Sequence, residues 1–176
     1  MLMLSKSLVN RPIVSLRSGG EIAVAVEPII NPHNLKILGW WCRMPGGQRE
    51  VLLTDDIREM MPGGIAINDE SALSPPEDLV RHQEVLDINF ELINKLVKTK
   101  RQKLGKVSDY SYNDGLFVQK LYVARPLRKV LTTDDTLLID RTQIIEVTDH
   151  YILVRDVEAK DSAEELATAG AAAPIG

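Results

Sequence analysis

The sequence contains a single cysteine, Cys42, and only 5% aromatic residues in 176 positions. One cysteine cannot form an intramolecular disulfide bond, so the chain suits a reducing compartment or a fold that needs no covalent cross-link. No apolar run approaches the roughly 20 residues that a helix needs to cross a bilayer. The N-terminal segment "MLMLSKSLVN" also lacks the apolar core and cleavage site of a secretory signal. We therefore expect a cytoplasmic protein without a transmembrane segment.

The sequence also lacks an excess of basic residues. Lysine and arginine together number 21 and aspartate and glutamate 25, which gives a net charge of −4. A dedicated nucleic-acid-binding protein usually carries a strong basic surplus, so we expect no DNA partner. The apolar content of 44% and the charged content of 26% are typical of a soluble globular protein.

Catalytic and metal-binding signatures are missing as well. The three histidines, His33, His82 and His150, are scattered and show no paired spacing of the kind that holds zinc. Nucleophilic catalysis by Cys42 would need a neighbouring base, and the sequence places none beside it. We therefore expect no enzymatic activity, no catalytic residue, no bound metal and no cofactor.

Glycine pairs and acidic pairs are better explained as turns than as sites. The glycine pairs at 19–20, 46–47 and 63–64 are not followed by the Lys-Ser/Thr of a phosphate-binding loop, and hairpin turns account for them. The acidic pairs at 55–56 and 134–135 each follow a threonine, a pattern typical of turns and caps.

The sequence does contain an internal repeat, in which one residue pattern occurs twice. The segment "SLVNRPIVSL" at 7–16 aligns with "ELINKLVKTK" at 91–100, which lies 84 residues downstream. The segment 51–69 aligns with 137–156 at a spacing of 87, and a middle segment aligns at 82, which places Ala23 on Gly105. The spacing drifts because loops tolerate insertions better than strands do. The chain is thus predicted to be a tandem repeat.

Within each copy the apolar residues alternate with a period close to two, which is the spacing of half-buried strands. Turn signals such as "NPHN", "PGG" and "NDG" separate five or six short strands per copy. We therefore predict an all-β fold made of two small antiparallel barrels or sandwiches, since closure into a barrel removes exposed sheet edges.

A helix is predicted between the copies. Ser74 stands at the N-cap position, Pro75 at the first helical position and Glu77 three residues after the cap, and apolar residues line one side as far as Asp87. The predicted organisation is a first domain at 1–73, a linking helix at 74–88, a second domain at 89–157 and a tail at 158–176. The tail has few large apolar residues, so we expect it to be flexible.

The two copies resemble the PRC-barrel family. "LVNRPIVSLRSGGEIAVAVEPIIN" and "LINKLVKTKRQKLGKVSDYSYN" look like its opening strands, and "LLTDDIREMMPGGIAIND" and "LLIDRTQIIEVTDHYILVRD" look like its closing segment. The sequence departs from the family at Ala23, Asn10 and Asn94, where glycine is usual. These departures bear on turn geometry more than on the fold.

The resemblance implies two tandem PRC-barrel-like domains and a non-catalytic role. The family includes the cytoplasmic part of a photosynthetic reaction-centre subunit and the C-terminal domain of a bacterial ribosome-maturation factor. In both proteins the barrel is a docking surface for macromolecules. The resemblance therefore implies an adaptor that binds a protein partner or another copy of itself.

Two features are candidate contact surfaces, and the first is the adjacent pair Trp40 and Trp41. Neighbouring residues of a strand point to opposite faces, so one indole is expected in the core. The other lies either at a partner interface, where tryptophan is favoured, or beneath the predicted helix.

The second candidate is a basic run in the first hairpin of the second copy. Lys98, Lys100, Arg101 and Lys103 lie in a stretch without acidic residues between Glu91 and Asp109. Such a hairpin could meet an acidic protein surface, or RNA in a ribosome-associated assembly factor. Lysines on an exposed hairpin also simply prevent edge pairing. A small molecule between the barrels is a third hypothesis, and it requires a pocket.

Overall fold

The computed structural model describes residues 1–126 and 136–156. Those residues form fourteen strands in two sheets and a single short α-helix. The predicted all-β fold class is therefore confirmed. The predicted tail at 158–176 and the acidic pair at 134–135 lie outside the described residues.

The first sheet is built from the first copy of the repeat. Its strands are β2 (Arg11–Ser15), β3 (Glu21–Ile30), β4 (Ile37–Arg43), β5 (Arg49–Leu53), β6 (Ile57–Met61), β7 (Gly64–Ile67) and β8 (Leu73–Ser74). They lie side by side in the order β6-β7-β2-β3-β4-β5-β8. All neighbours are antiparallel except β2 and β7, which run parallel.

The second sheet is built mainly from the second copy. Its strands are β1 (Leu2–Leu4), β9 (Leu96–Lys98), β10 (Lys103–Asn113), β11 (Val118–Ala124), β12 (Thr136–Asp140), β13 (Ile144–Val147) and β14 (Tyr151–Val154). The main path is β12-β11-β10-β9-β14-β13, and β1 pairs with the far end of β10. The N-terminal strand, which the sequence assigned to the first domain, thus pairs with the second sheet.

Six strands of each sheet, all except β8 and β1, follow the same order and pair equivalent residues. In the parallel pair of the first sheet Ile13 is the register partner of Ile65. In the parallel pair of the second sheet Val97 is the partner of Ile152. These are the positions that the repeat aligns at spacings of 84 and 87. The repeat in the sequence is therefore also a repeat of strand order and register.

The main core is continuous across the two halves. Alternating side chains of both sheets turn inward, as the two-residue period of the strands requires. The largest fully buried side chains include Trp40, Tyr112, Leu8, Ile13, Ile37, Leu52 and Ile152. The halves also meet at a bridge between Lys36 and Phe117, where Ile37 donates its N–H to Leu116 at 2.8 Å and Val118 donates to Leu35 at 3.0 Å.

The predicted helix from Ser74 to Asp87 needs correction. Ser74 lies in β8, opposite Val51, and its side chain caps nothing. Two short 3₁₀ turns, Pro76–Asp78 and Val80–His82, precede the α-helix α1 (Gln83–Ile88). Leu79 separates these turns with φ −88° and ψ 57°, a conformation outside the helical region. The segment is therefore helical in three pieces, and only six residues are α-helical.

Candidate docking surface

The basic run predicted from the sequence lies on the hairpin that joins β9 to β10. Thr99 is 4% exposed and holds the turn: its hydroxyl accepts hydrogen bonds from the N–H groups of Arg101 at 3.1 Å and Gln102 at 3.2 Å. Its own N–H donates to the Gln102 carbonyl at 2.9 Å. Because this buried threonine fixes the turn, the side chains beside it are presented outward. We call residues 98–103 the basic hairpin.

The structure brings Lys98 and Lys103 together as register partners across the hairpin. Like charges directly opposite one another are destabilising in an antiparallel pair. A cation–π contact offsets part of this repulsion, because the Lys98 ammonium lies 3.7 Å from the centroid of the Tyr151 ring. Lys98 thus has a stabilising contact within the protein, whereas the Lys103 side chain has none among the described residues.

The remaining two cations of the basic hairpin differ in their partners. The Arg101 Nε lies 3.5 Å from the Asp156 carboxylate, in a pair that is open to solvent. Lys100 and Lys103 are exposed, and their ammonium groups have no ion-pair or hydrogen-bond partner within the described ranges 1–126 and 136–156. Lys100 and Lys103 therefore carry charge that is available to another molecule.

The equivalent hairpin of the first half has a different charge. Arg17, the counterpart of Arg101, lies 4.0 Å from Asp69, the counterpart of Asp156. Hydrogen bonds from Ser71, together with Arg17, hold the pKa of the Asp69 carboxyl below its usual value. The counterparts of Lys100 and Lys103 are Leu16 and Glu21. The halves thus share the arginine–aspartate pair, whereas the free lysines belong to the second half alone.

The two tryptophans lie in the interior. Trp40 is fully buried in the main core, and its indole N–H donates to the Leu8 carbonyl at 2.9 Å. Trp41 is 8% exposed on the opposite face of β4, where Val85 and Leu86 of α1 pack against it. The predicted opposite orientation is observed, and the outward indole lies beneath the helix. Neither ring forms an exposed docking surface, since Trp40 is fully buried and Trp41 nearly so.

The other polar residues that the sequence singled out do not converge. His33 lies in a turn, with its Nε2 3.6 Å from the Glu84 carboxylate, and both side chains are exposed. Asp55 and Asp56 lie in one 3₁₀ turn with Thr54. Across residues 1–126 and 136–156, no three histidine, cysteine or acidic side chains are grouped as a metal site would need. In the same residues, no helix has the length and apolar character required to span a bilayer.

The hypothesis of a small molecule between the halves required a pocket, and the structure has a cavity of about 320 Å³ where the two halves meet. Its walls come from the segment 27–30 of β3, from the segment 89–94 after α1, and from Tyr110 of β10. No local motif marks it, because its lining residues are far apart along the chain.

No protein-family model matches the sequence, and no curated protein matches it at a significant level.

Proposed function

We propose that this chain is a non-enzymatic docking protein whose basic hairpin binds an acidic surface on a protein partner. The observation that carries the proposal is the exposure of Lys100 and Lys103 without an intramolecular partner among the described residues. Lysines placed in this way raise association rates with an oppositely charged surface and select against basic partners. The lysine pair Lys98–Lys103, which is unfavourable for folding, is consistent with a role in binding.

We further propose that each half is a PRC-barrel-like domain. The common order of six equivalent strands supports this proposal, as does the parallel pairing of β2 with β7 and of β9 with β14. A scaffold of this kind positions hairpins rigidly, and rigid presentation lowers the entropic cost of binding. Function then resides in the hairpins that differ between the halves.

A protein partner fits the hairpin better than RNA does. Surfaces that bind single-stranded RNA commonly add aromatic rings on which bases stack. The ring beside the basic hairpin is that of Tyr151, and the Lys98 ammonium already covers its face. RNA in a ribosome-associated assembly is therefore the alternative outcome of the test rather than the proposal.

The test is capture from extracts of the native cell on the immobilised full chain. The variant Lys100→Ala/Lys103→Ala removes two cations from the basic hairpin. The control Lys6→Ala/Arg17→Ala removes two exposed cations from the N-terminal region and the first hairpin, so the net charge change is the same. A parallel capture after nuclease treatment separates a protein partner from RNA.

We expect one protein to be retained in stoichiometric amount by the parent chain and by the control, and to be lost with the hairpin variant. Retention should survive nuclease treatment and weaken at high salt. Nuclease-sensitive recovery of ribosomal components would instead support the RNA alternative. Equal retention by both variants would exclude the basic hairpin as the docking surface.

A further inference from the structure

The cavity between the halves has the size of a ligand site. Its volume of about 320 Å³ lies within the range of small-molecule pockets, which starts near 300 Å³. It sits between two structural halves, a position where ligand pockets are frequent. Val9 at 38% and Ile93 at 36% exposure line it and leave apolar surface open to an incoming molecule.

The lining is mainly apolar, and two cations lie over its aromatic rings: Arg49 is 3.7 Å from the centroid of Trp41 and Lys95 is 4.7 Å from that of Phe90. Aliphatic and aromatic side chains, including Ile29, Trp41 and Phe90, form most of the wall. The charged residues that line it are Glu27 and Glu91, and the Glu27 carboxylate already accepts a hydrogen bond from Arg49 at 3.0 Å. Because Arg49 is paired with Glu27 and Lys95 donates to the Asp149 carbonyl, an anion would meet no unengaged cation in the lining and would face the carboxylate of Glu91.

Tyr110 contributes a polar group to the lining. Tyr110 is 2% exposed, and its hydroxyl has no hydrogen-bond partner among residues 1–126 and 136–156. The other fully buried tyrosine is different, since the hydroxyls of Tyr112 and Ser7 lie 2.8 Å apart in a hydrogen bond. Burial, with a contribution from Asp109, raises the pKa of the Tyr110 phenol above its usual value. The hydroxyl is therefore neutral and can donate or accept.

We propose that this cavity binds a small apolar molecule, uncharged or cationic, whose one polar group meets the hydroxyl of Tyr110. Apolar walls provide most of the affinity, and the hydroxyl fixes the orientation of the molecule. The hydroxyl makes no hydrogen bond within the described residues, and a polar group of the ligand would provide one. This site is separate from the basic hairpin, so binding here does not depend on the docking function.

Three probes that share one ring system test the charge selectivity. Indole is neutral, tryptamine is cationic and indole-3-acetate is anionic. Each is titrated into the ¹⁵N-labelled full chain while amide chemical shifts are followed. We expect saturable shifts with indole and tryptamine, centred on the segments 27–30 and 89–94. Indole-3-acetate should bind at least fivefold more weakly than tryptamine because it would face the Glu91 carboxylate while both nearby cations are already engaged.

The two buried tyrosines provide matched variants for the hydrogen bond. Tyr110→Phe removes a hydroxyl that bonds to no described residue, so the protein should fold normally and bind tryptamine about fivefold more weakly. Tyr112→Phe removes the bond to Ser7, so it should lower stability and leave the affinity of the folded protein unchanged. If the Tyr110 hydroxyl had only a structural role, Tyr110→Phe would lower stability and leave the tryptamine affinity of the folded protein unchanged.

Several results would overturn the proposal. One is the absence of saturable shifts with all three probes up to their solubility limits. Another is an equal affinity for tryptamine and indole-3-acetate, or an affinity that is the same in Tyr110→Phe and the parent chain. The Lys100→Ala/Lys103→Ala variant should bind the probes like the parent chain. Failure of the docking proposal would therefore leave this one standing.

Discussion

The guanidinium group of Arg141 donates a hydrogen bond to the carbonyl oxygen of Asn34 at 2.7 Å, although the two residues belong to different halves of the chain. The same group donates to the Val118 carbonyl at 3.3 Å and lies 5.0 Å from the centroid of the Phe117 ring. Phe117 is also the bridge partner of Lys36. One arginine of the second half thus holds a turn of the first half against the β10–β11 hairpin.

Replacing Arg141 with alanine should loosen this contact between the halves. We expect Arg141→Ala to lower the free energy of unfolding by about 1–2 kcal/mol, since two hydrogen bonds from a charged but partly exposed group are lost. Arg141→Lys should retain only part of the lost free energy of unfolding, because an ammonium cannot reproduce the planar geometry of the guanidinium. Urea denaturation measures both values. Arg58→Ala, at an exposed arginine of β6, serves as the control and should change stability little.

Gly105 predicts a second, larger effect. It has φ +153°, and a Cβ atom added there would clash with the Ala124 carbonyl oxygen of β11. We expect Gly105→Ala to cost about 3 kcal/mol or more, because strand backbones must separate to admit the methyl group. Ala23 is its counterpart in the first half, and Ala23→Gly should cost only about 1 kcal/mol. Thermal unfolding of both variants gives the comparison, and equal small losses would contradict the predicted close approach of β10 and β11.

Much of the fold could be predicted from the sequence because turn conformation and strand alternation depend on short stretches of sequence. Asn10 and Asn94 stand where the resembled family has glycine, and they have φ values of 53° and 66°. Asparagine is among the few residues that tolerate this left-handed conformation. The alternation along β4 likewise predicted that Trp40 and Trp41 face opposite sides. These features depend on residues that are close in sequence.

Features that depend on distant residues could not be predicted. The pairing of β1 with β10 joins Met3 to Tyr112, and no short-range pattern specifies it. The predicted helix does not begin at Ser74, because this residue pairs with Val51 in β8, and Leu79 interrupts the segment further on. The exposed lysines of the candidate site were visible in the sequence. The cavity at Tyr110 was not, since it arises only when the halves come together.

Cys42 predicts a dependence of stability on pH. Burial, with a smaller contribution from Glu50, raises the pKa of the Cys42 thiol to about 12 from a reference of 9.0. Between these values the unfolded chain loses the thiol proton and the folded chain keeps it, so stability falls as the pH rises. The loss attributable to Cys42 should be at most about 1.4 kcal/mol per pH unit. Urea titrations between pH 8 and pH 11 should show a shallower decline in Cys42→Ala than in the parent chain. Parallel declines would contradict the assignment.

The most direct test of the docking account is the affinity for the captured protein at increasing salt, measured for the parent chain, Lys100→Ala/Lys103→Ala and the control Lys6→Ala/Arg17→Ala. The account predicts that the parent chain and the control bind alike and weaken together as salt is added, because exposed charges are screened beyond roughly 10 Å at 0.1 M salt. The hairpin variant should bind at least tenfold more weakly at low salt and depend less on salt. Equal affinities and equal salt dependence for all three proteins would contradict the account.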